Sequence, residues 1–338
     1  MVVALTKWDT AIAPNIAIEP TEFNTIAVYW GAVIPAISDL ISLEQSRTGM
    51  NYETALQTLL QSQQRWVQQL YGDRHSTLSL RIITRGNSDQ DLIFGFVGKT
   101  EGQTELETIA LARNFFNQIR DTLPNGYRLQ PCQQAEELAL LRFPFLPTGQ
   151  VGEFRRTVTP LQTISLKNSP AFTGRQINPW AAQSNHFQDL LRSLLCHPTP
   201  SAIAINLKPT QLTPQESEAI ATLTDRYAKL ASTSRGETEQ NRILSSNINY
   251  QEKFLEAEQA AQTWQHLQSS WRSPFELSIS LMAESALPQS VISALQSAVS
   301  GTPIRENLSR GTGQLVIAQT EAQKMAVRQN WADLTLHR

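Results

Sequence analysis

The residues closest to a known chemical motif are Gly98, Lys99 and Thr100, which match the last three positions of a phosphate-binding loop. Such a loop cradles phosphates with backbone amides, sets its lysine on the outer phosphates and its hydroxyl on Mg²⁺. The first glycine of that motif would fall at position 93, which is Ile93. A two-residue spacer also separates the triplet from the next predicted helix, whose N-terminus would have to receive the phosphate. We interpret the triplet as a coincidental match.

A second candidate is the adjacent pair Cys196 and His197, at the predicted end of a helix. A thiolate or a metal could use such residues, but neighbours on a helix do not converge on one ligand. The sequence also has no HxxE, CxxC or HxxxH pair to complete a zinc site. We interpret the pair as a buried thiol beside a helix-terminal histidine. With His186 they are the first candidates if a catalytic site is assembled from dispersed residues.

The remaining titratable groups are interpreted as surface residues, because none has a neighbour at catalytic spacing. They are His75, His266, His337, the carboxylate pairs Glu136/Glu137 and Glu216/Glu218, and the arginines Arg155, Arg156, Arg175, Arg305 and Arg310. The arginines could contact phosphates or acidic partners, but solvated loop arginines are the more common case. The sequence therefore predicts no catalytic residue, no cofactor site and no metal site.

Composition limits the class of protein. The chain has 338 residues, enough for about two domains. Its formal net charge of -2 supplies no overall basic field for nucleic acid. Two cysteines are too few for a disulfide framework and fit a reducing compartment. No apolar run approaches the ~20 residues of a membrane span. We expect a cytoplasmic protein with no membrane span.

The first half of the chain has patterns typical of alternating helices and strands. Apolar spacing predicts a helix over 52–70, and alternation in LSLRIITR and DLIFGFVGKT predicts a β-hairpin. Thr104 and Glu107 form a capping box that opens the next helix. A short strand at 127–130 and a helix at 134–143 follow. The apolar run 26–37 contains Pro35, and its type stays open.

The second half repeats this order after a connection in which only 157–166 looks extended. A helix over 187–195 precedes a strand at 203–207, and Thr213 to Glu216 form a second capping box. The polar stretch 231–249 and the helical spacing up to Trp271 fit two long helices with a flexible joint or a frayed hairpin equally well. Strict alternation predicts a strand over 275–281. A helix at 291–299, a strand at 315–317 and a helix at 322–336 complete the pattern.

The sequence thus predicts an α+β protein of two successive α+β units, each with the order of a ferredoxin-like, split β-α-β plan. No residue-level repeat supports the duplication. We divide the chain into a first α+β unit with an N-terminal helical segment at 1–147, a connecting region at 148–182 and a second α+β unit with long helices at 183–338.

The segment order also resembles a known family. The stretches LSLRIITRGNSDQDLIFGFVGKTEG, YRLQPC, NPWAAQSNHFQDLLRSLLCHPTPSAIAINLKPTQLTPQE and FELSISLMAES are similar to the N-terminal, non-motor region of bacterial HerA-like and conjugation-type ATP-binding proteins. The resemblance covers about residue 26 to the end. It implies that a RecA-like motor with Walker motifs, assembled as a usually hexameric ring around DNA, accompanies such a region. No Walker motif occurs here, so no ATPase residue can be assigned.

Three functions remain as hypotheses. The first is a non-catalytic accessory, oligomerisation or partner-docking region of a HerA-like DNA-translocating ATPase. Its partners would be other copies of the chain, as in a hexamer, or a motor domain, with DNA contacted indirectly or weakly. The second is a stand-alone interaction or scaffold protein without a motor. The third is an enzyme with a dispersed site, which a pocket with convergent polar groups would favour.

Overall fold

The computed structural model describes most of the chain, with gaps. The described residues are 4–6, 14–21, 24–35, 40–86, 92–124, 126–145, 149–156, 158–160, 175–177, 184–241, 261–262, 264–265, 268, 274–286, 289–299 and 313–336.

The first unit has the split β-α-β arrangement. Its strands lie in the spatial order β6-β3-β5-β4, and every neighbouring pair is antiparallel. Strands β3 and β4 are therefore parallel to each other with β5 inserted between them, as in a ferredoxin-like sheet. The elements are β3 (Ile26–Ile34), α1 (Leu40–Thr48), α2 (Tyr52–Gln69), a 3₁₀ turn (Leu70–Gly72), β4 (Ser76–Thr84), β5 (Leu92–Gly102), α3 (Glu105–Thr122), β6 (Gln130–Pro131) and α4 (Ala135–Arg142). Strands β1 (Ala4–Thr6) and β2 (Ile16–Pro20) extend the sheet beyond β3.

The second unit has the same topology. Its strands lie in the order β10-β11-β7-β12, again with all neighbours antiparallel. One helix connects β7 to β10, and another connects β11 to β12, so each connection skips one strand. The elements are β7 (Val151–Arg156), β8 (Val158–Pro160), β9 (Arg175–Ile177), α5 (Ser184–Leu195), β10 (Ser201–Pro209), α6 (Pro214–Asn241), β11 (Phe275–Ala283), α7 (Gln289–Val299), β12 (Gly313–Ile317) and α8 (Glu321–Asp333). Strands β8 and β9 pair with each other outside the main sheet.

The two units join edge to edge. Strand β4 pairs antiparallel with β10, with Leu80 opposite Ile205 and Leu78 opposite Leu207. The described residues thus form one ten-stranded sheet that runs through both units. We call the β4–β10 pairing the seam. The predicted α+β class is confirmed, and β7, which falls in the predicted connecting region, is an inner strand of the second unit.

Helices cover both faces of the sheet. On one face, residues such as Trp30, Phe96 and Leu78 pack with α3, and Ile203 and Leu281 pack with α5 and α7. On the other face, neighbours in the same strands, including Val97, Ala202 and Met282, pack against α4 and α8. This division follows from the period of two in a strand, which sends successive side chains to opposite faces.

The helices that end the two units begin in the same way, which is a repeat that the sequence did not reveal. The backbone amides of Gln133 and Gln134 both donate to Glu137 Oε2, at 2.7 and 3.2 Å. Those of Gln319 and Thr320 donate to the equivalent Gln323 Oε1, at 2.8 and 3.2 Å. A carboxylate and an amide can serve the same role because both offer an acceptor oxygen three residues into the helix.

Most predicted elements are confirmed, and the differences have local causes. The run of undetermined type is strand β3, which ends just before Pro35 because proline cannot donate to a strand pairing. Strand β7 begins at Val151, before the predicted extended stretch 157–166, of which residues 157 and 161–166 lie outside the described residues. Helix α6 continues to Asn241, into the polar stretch 231–249 for which a flexible joint and a frayed hairpin were both left open.

Candidate functional site

An apolar cleft lies at the seam, on the helical face of α2 and α3. Its floor is made of alternate residues from three adjacent strands, all of them aliphatic or aromatic. These floor residues are Leu78, Leu80, Phe94, Phe96, Ile205 and Leu207. Their side chains point to the same face of the sheet, because Leu80 of β4 lies opposite Phe96 of β5 on one side and opposite Ile205 of β10 on the other. We call this space the seam cleft.

Helix α2 forms one wall of the seam cleft through Gln63, Trp66 and Val67. The helix begins at Asn51, whose side chain accepts a hydrogen bond from the Thr54 amide at 2.9 Å. Its contact with the sheet is incomplete, since only Ala55 of its eighteen residues is buried. The Trp66 ring lies 5.8 Å from that of Phe96. Floor residues therefore keep part of their surface in contact with the cleft, although they come from inner strands.

The opposite wall adds a further polar group to the cleft. It follows the end of α3 and includes Leu123, Pro124 and Tyr127. Gln63 Nε2 donates to the Tyr127 hydroxyl oxygen at 2.8 Å, so the two walls meet at this bond. Burial raises the pKa of Tyr127, and the bond from Gln63 partly offsets this. The hydroxyl therefore keeps its proton at neutral pH and can donate it to an acceptor.

The lining of the seam cleft is almost entirely apolar. Its volume is about 520 Å³, within the range of roughly 300–1,000 Å³ that is typical of small-molecule pockets. No lining residue carries a charge, and its hydrogen-bonding groups are those of Gln63 and Tyr127 and the indole N–H of Trp66, which is buried without a hydrogen-bond partner. General acid-base or nucleophilic catalysis needs a titratable group tuned near neutral pH. The cleft offers none, so its lining suits an apolar molecule.

The phosphate-loop triplet lies within paired strand β5, away from any helix N-terminus. A Cβ on Gly98 would lie 2.1 Å from Trp30 Cε2, so the glycine is required by packing. Lys99 pairs with Glu101 at 2.6 Å, and Thr100 shares a buried hydrogen bond with Ser76 at 2.7 Å. The backbone amides of the triplet belong to a sheet, and the triplet stays interpreted as a coincidental match.

The prediction of a buried thiol at Cys196, at the end of α5, is wrong. Cys196 is exposed, whereas His197 is buried. His197 Nδ1 lies 2.8 Å from Thr199 Oγ1, which in turn lies 2.8 Å from Ser285 Oγ. Cys196 turns outward because the chain leaves the helix there, while the imidazole packs inward to fix the turn into β10. The side chain of His186 lies outside the described residues.

On the other face of the sheet, two arginines of the first unit bind the C-terminal end of α8. Arg81 Nη2 donates to the Trp331 carbonyl at 2.5 Å, and Arg142 Nε donates to the Ala332 carbonyl at 3.2 Å. Positive charge is favourable at this end of a helix because its last carbonyls have no helical partner. These bonds tie the first unit to the last helix of the second.

The surroundings of the two arginines differ in charge. Arg142 forms a bidentate pair with Glu19, at 2.8 and 3.0 Å, and stacks 3.7 Å from the Tyr29 ring centre. Arg81 is fully buried and stacks 4.3 Å from the Trp331 ring centre. Burial, and then the charge of Arg142, lower the pKa of Arg81 well below its usual range. We interpret the cluster as a structural clamp between the units.

The other charged candidates are surface residues or lie outside the described part of the chain. Arg155 approaches Glu153 at 3.5 Å with two thirds of its side chain exposed. Glu137 and Glu216 cap α4 and α6, and of these two caps only that of Glu216 was predicted from the sequence. Arg305 and Arg310 lie outside the described residues. Within the described ranges, no group of three or more His, Cys, Asp or Glu side chains could hold a metal ion.

The comparisons with known proteins identify no relative. No protein-family model matches the chain, and no curated protein matches its sequence. Across the described part of the chain, no helix is both long enough and apolar enough to cross a membrane.

Sequence reasoning found the strands of the seam cleft but missed the cleft itself. The alternation of apolar and polar residues predicted that Leu78 and Leu80 share one face of their strand. It predicted the same for Ile205 and Leu207 in theirs. Nothing local indicates that β4 and β10, more than a hundred residues apart in the chain, are neighbours. The only signal was the glutamine-rich character of α2, which is poor in large apolar residues for a helix that covers a sheet.

Proposed function

We propose that this chain is a non-catalytic docking and assembly module of the cytoplasm, and that it serves a HerA-like DNA-translocating motor carried elsewhere. The proposal rests on the resemblance in segment order together with one structural feature, the exposed apolar side chains of the α1–α2 hairpin. Its partners are the motor domain and further copies of this chain, while DNA is contacted indirectly.

The hairpin supports docking because its apolar residues face solvent. Helices α1 and α2 are joined by three residues, including Gly49 at a positive φ of 70°. At and beyond this turn, Met50 is 39% exposed, Tyr52 58% and Leu60 54%. Large apolar side chains that cluster on an exposed element are typical of protein interfaces. A short, regular hairpin also offers them on a rigid support.

The test is the mass of the purified chain in solution by light scattering, alone and then with ATP and double-stranded DNA. We expect a discrete ring-sized assembly that the double variant Tyr52→Ser/Leu60→Ser reduces to monomers. The matched control is Leu106→Ser, which removes an apolar side chain that is 83% exposed on α3 and should leave the assembly intact.

The outcomes separate the hypotheses. Assembly that responds to ATP and DNA supports the motor-accessory function. Assembly that ignores both additions but needs the hairpin supports a stand-alone scaffold. A monomer under all conditions, with wild type and hairpin variant alike, would refute self-assembly and leave only docking to a separate motor.

A further inference from the structure

The seam cleft is unusual for its position. Residues Leu80 and Ile205 lie on adjacent inner strands of a ten-stranded sheet that carries packed helices on both faces. Helices α3, α5 and α7 cover the sheet on either side. Between them, α2 faces the seam with Gln63, Trp66 and Val67. Four of the six floor residues are left only partly buried, namely Leu80, Phe94, Ile205 and Leu207. The sheet therefore keeps an apolar surface that the rest of the described chain does not fill.

The size of the seam cleft points to a small molecule. An apolar cavity of roughly 150 Å³ already holds benzene, and the cleft has a volume of about 520 Å³. It can therefore take a molecule of roughly twenty non-hydrogen atoms, by proportion. Aromatic side chains on two sides, Trp66 on α2 and Phe96 on the floor, offer flat surfaces for an acyl chain or a fused ring.

The charge of the lining selects the head group. An ionised head would lose its hydration in the cleft without gaining a partner of opposite charge, because no lining residue is charged. A neutral acceptor oxygen is different, because Tyr127 accepts its bond from Gln63 and keeps its own proton to donate. The polar end therefore favours an alcohol, ester or quinone-type oxygen over a carboxylate.

We propose that the seam cleft binds a neutral, largely apolar small molecule that carries one hydrogen-bond acceptor, with its apolar body on the β4–β10 floor and its oxygen at Tyr127. This is a binding activity separate from the docking through the hairpin tip. It does not depend on any motor.

The first experiment titrates the full chain with N-phenyl-1-naphthylamine, a neutral fluorophore that brightens in apolar sites. We expect one probe per chain, with a Kd in the micromolar range. The variants Ile205→Phe and Leu207→Phe enlarge two floor residues into the cleft and should each weaken probe binding at least about tenfold. The matched control is Met325→Phe, a substitution on α8 on the opposite face at a side chain 71% exposed, which should leave probe binding unchanged.

The second experiment displaces the probe with 1-dodecanol and with dodecanoate, which share a chain and differ in the charge of the head. Dodecanol should displace it at the lower concentration. Tyr127→Phe should weaken dodecanol about fivefold, the effect of one net hydrogen bond, without affecting the probe. Unfolding curves followed by circular dichroism establish which variants are folded. One folded floor variant is enough to test probe binding in the cleft.

The results decide the proposal without reference to assembly. Failure of the wild-type chain to bind the probe, or equal binding by both folded floor variants, would overturn the cleft as a ligand site. Preferential displacement by dodecanoate, or no effect of Tyr127→Phe on dodecanol, would overturn the neutral-acceptor assignment. Loss of oligomers in the hairpin variant with normal probe binding would separate the two proposals.

Discussion

Replacing Gly98 with alanine should destabilise the protein through a single steric conflict with Trp30. The added Cβ would lie 2.1 to 2.4 Å from three atoms of the indole, well short of the 3.4 Å at which ordinary contact begins. Trp30 is fully buried, and its ring is held by Phe115 at 5.7 Å and Phe116 at 5.1 Å. Because neither the strand nor the ring can move freely, we expect the upper part of the overpacking range, a loss of about 3 kcal/mol in the free energy of unfolding.

Urea unfolding followed by circular dichroism measures this loss, with Gly72→Ala as the matched control. A Cβ at Gly72 meets nothing within 4 Å, so that substitution should change the free energy of unfolding by less than about 0.5 kcal/mol. In a double-mutant cycle, Trp30→Phe should cost less in the Gly98→Ala protein than in the wild type, with a coupling of about 1–2 kcal/mol. A Gly98→Ala protein as stable as the wild type, or fully additive effects, would refute the steric explanation.

Three further predictions concern the buried polar groups. Burial raises the pKa of Cys132 to about 12, which leaves roughly one thiolate in ten thousand at about pH 8, so a maleimide should label only the exposed Cys196 until urea exposes both. Glu19→Gln should lower the free energy of unfolding by about 2 kcal/mol, because the buried Arg142 loses its bidentate partner and keeps only the carboxylate of Asp333, at 3.8 Å. Glu321→Gln, at an exposed carboxylate, should have almost no effect, and equal losses in urea unfolding would contradict the prediction. Burial also raises the pKa of Tyr29 above its usual 10.0, so the unfolded chain loses this proton before the folded protein does. The free energy of unfolding therefore falls as the pH rises above that value. In unfolding curves from about pH 9 to about pH 11, Tyr29→Phe should reduce this alkaline loss.

The local elements followed from the sequence because their causes are local. Strict alternation identified β11, and the capping boxes at Thr104 and Thr213 identified the starts of α3 and α6. Strand β7 was missed because it is short and lies in a polar connection, and the short strand predicted at 127–130 overlaps β6 only at Gln130, because only two residues pair there. Each of these segments is a strand because of the strands that lie beside it in the fold, and not because of its own residues.

The sequence by itself determined the α+β class and the elements with strong local patterns, such as α3, β11 and the β4–β5 hairpin. Only the tertiary structure decided that β7 enters between β11 and β12, that β4 meets β10, and that Arg81 and Arg142 hold the last helix. A period of two shows which side chains share a face but does not identify the neighbouring strand, which depends on packing across the whole sheet. The seam cleft belongs to this second group. It forms where a strand of each unit pairs with the other and where α2 covers the paired strands incompletely.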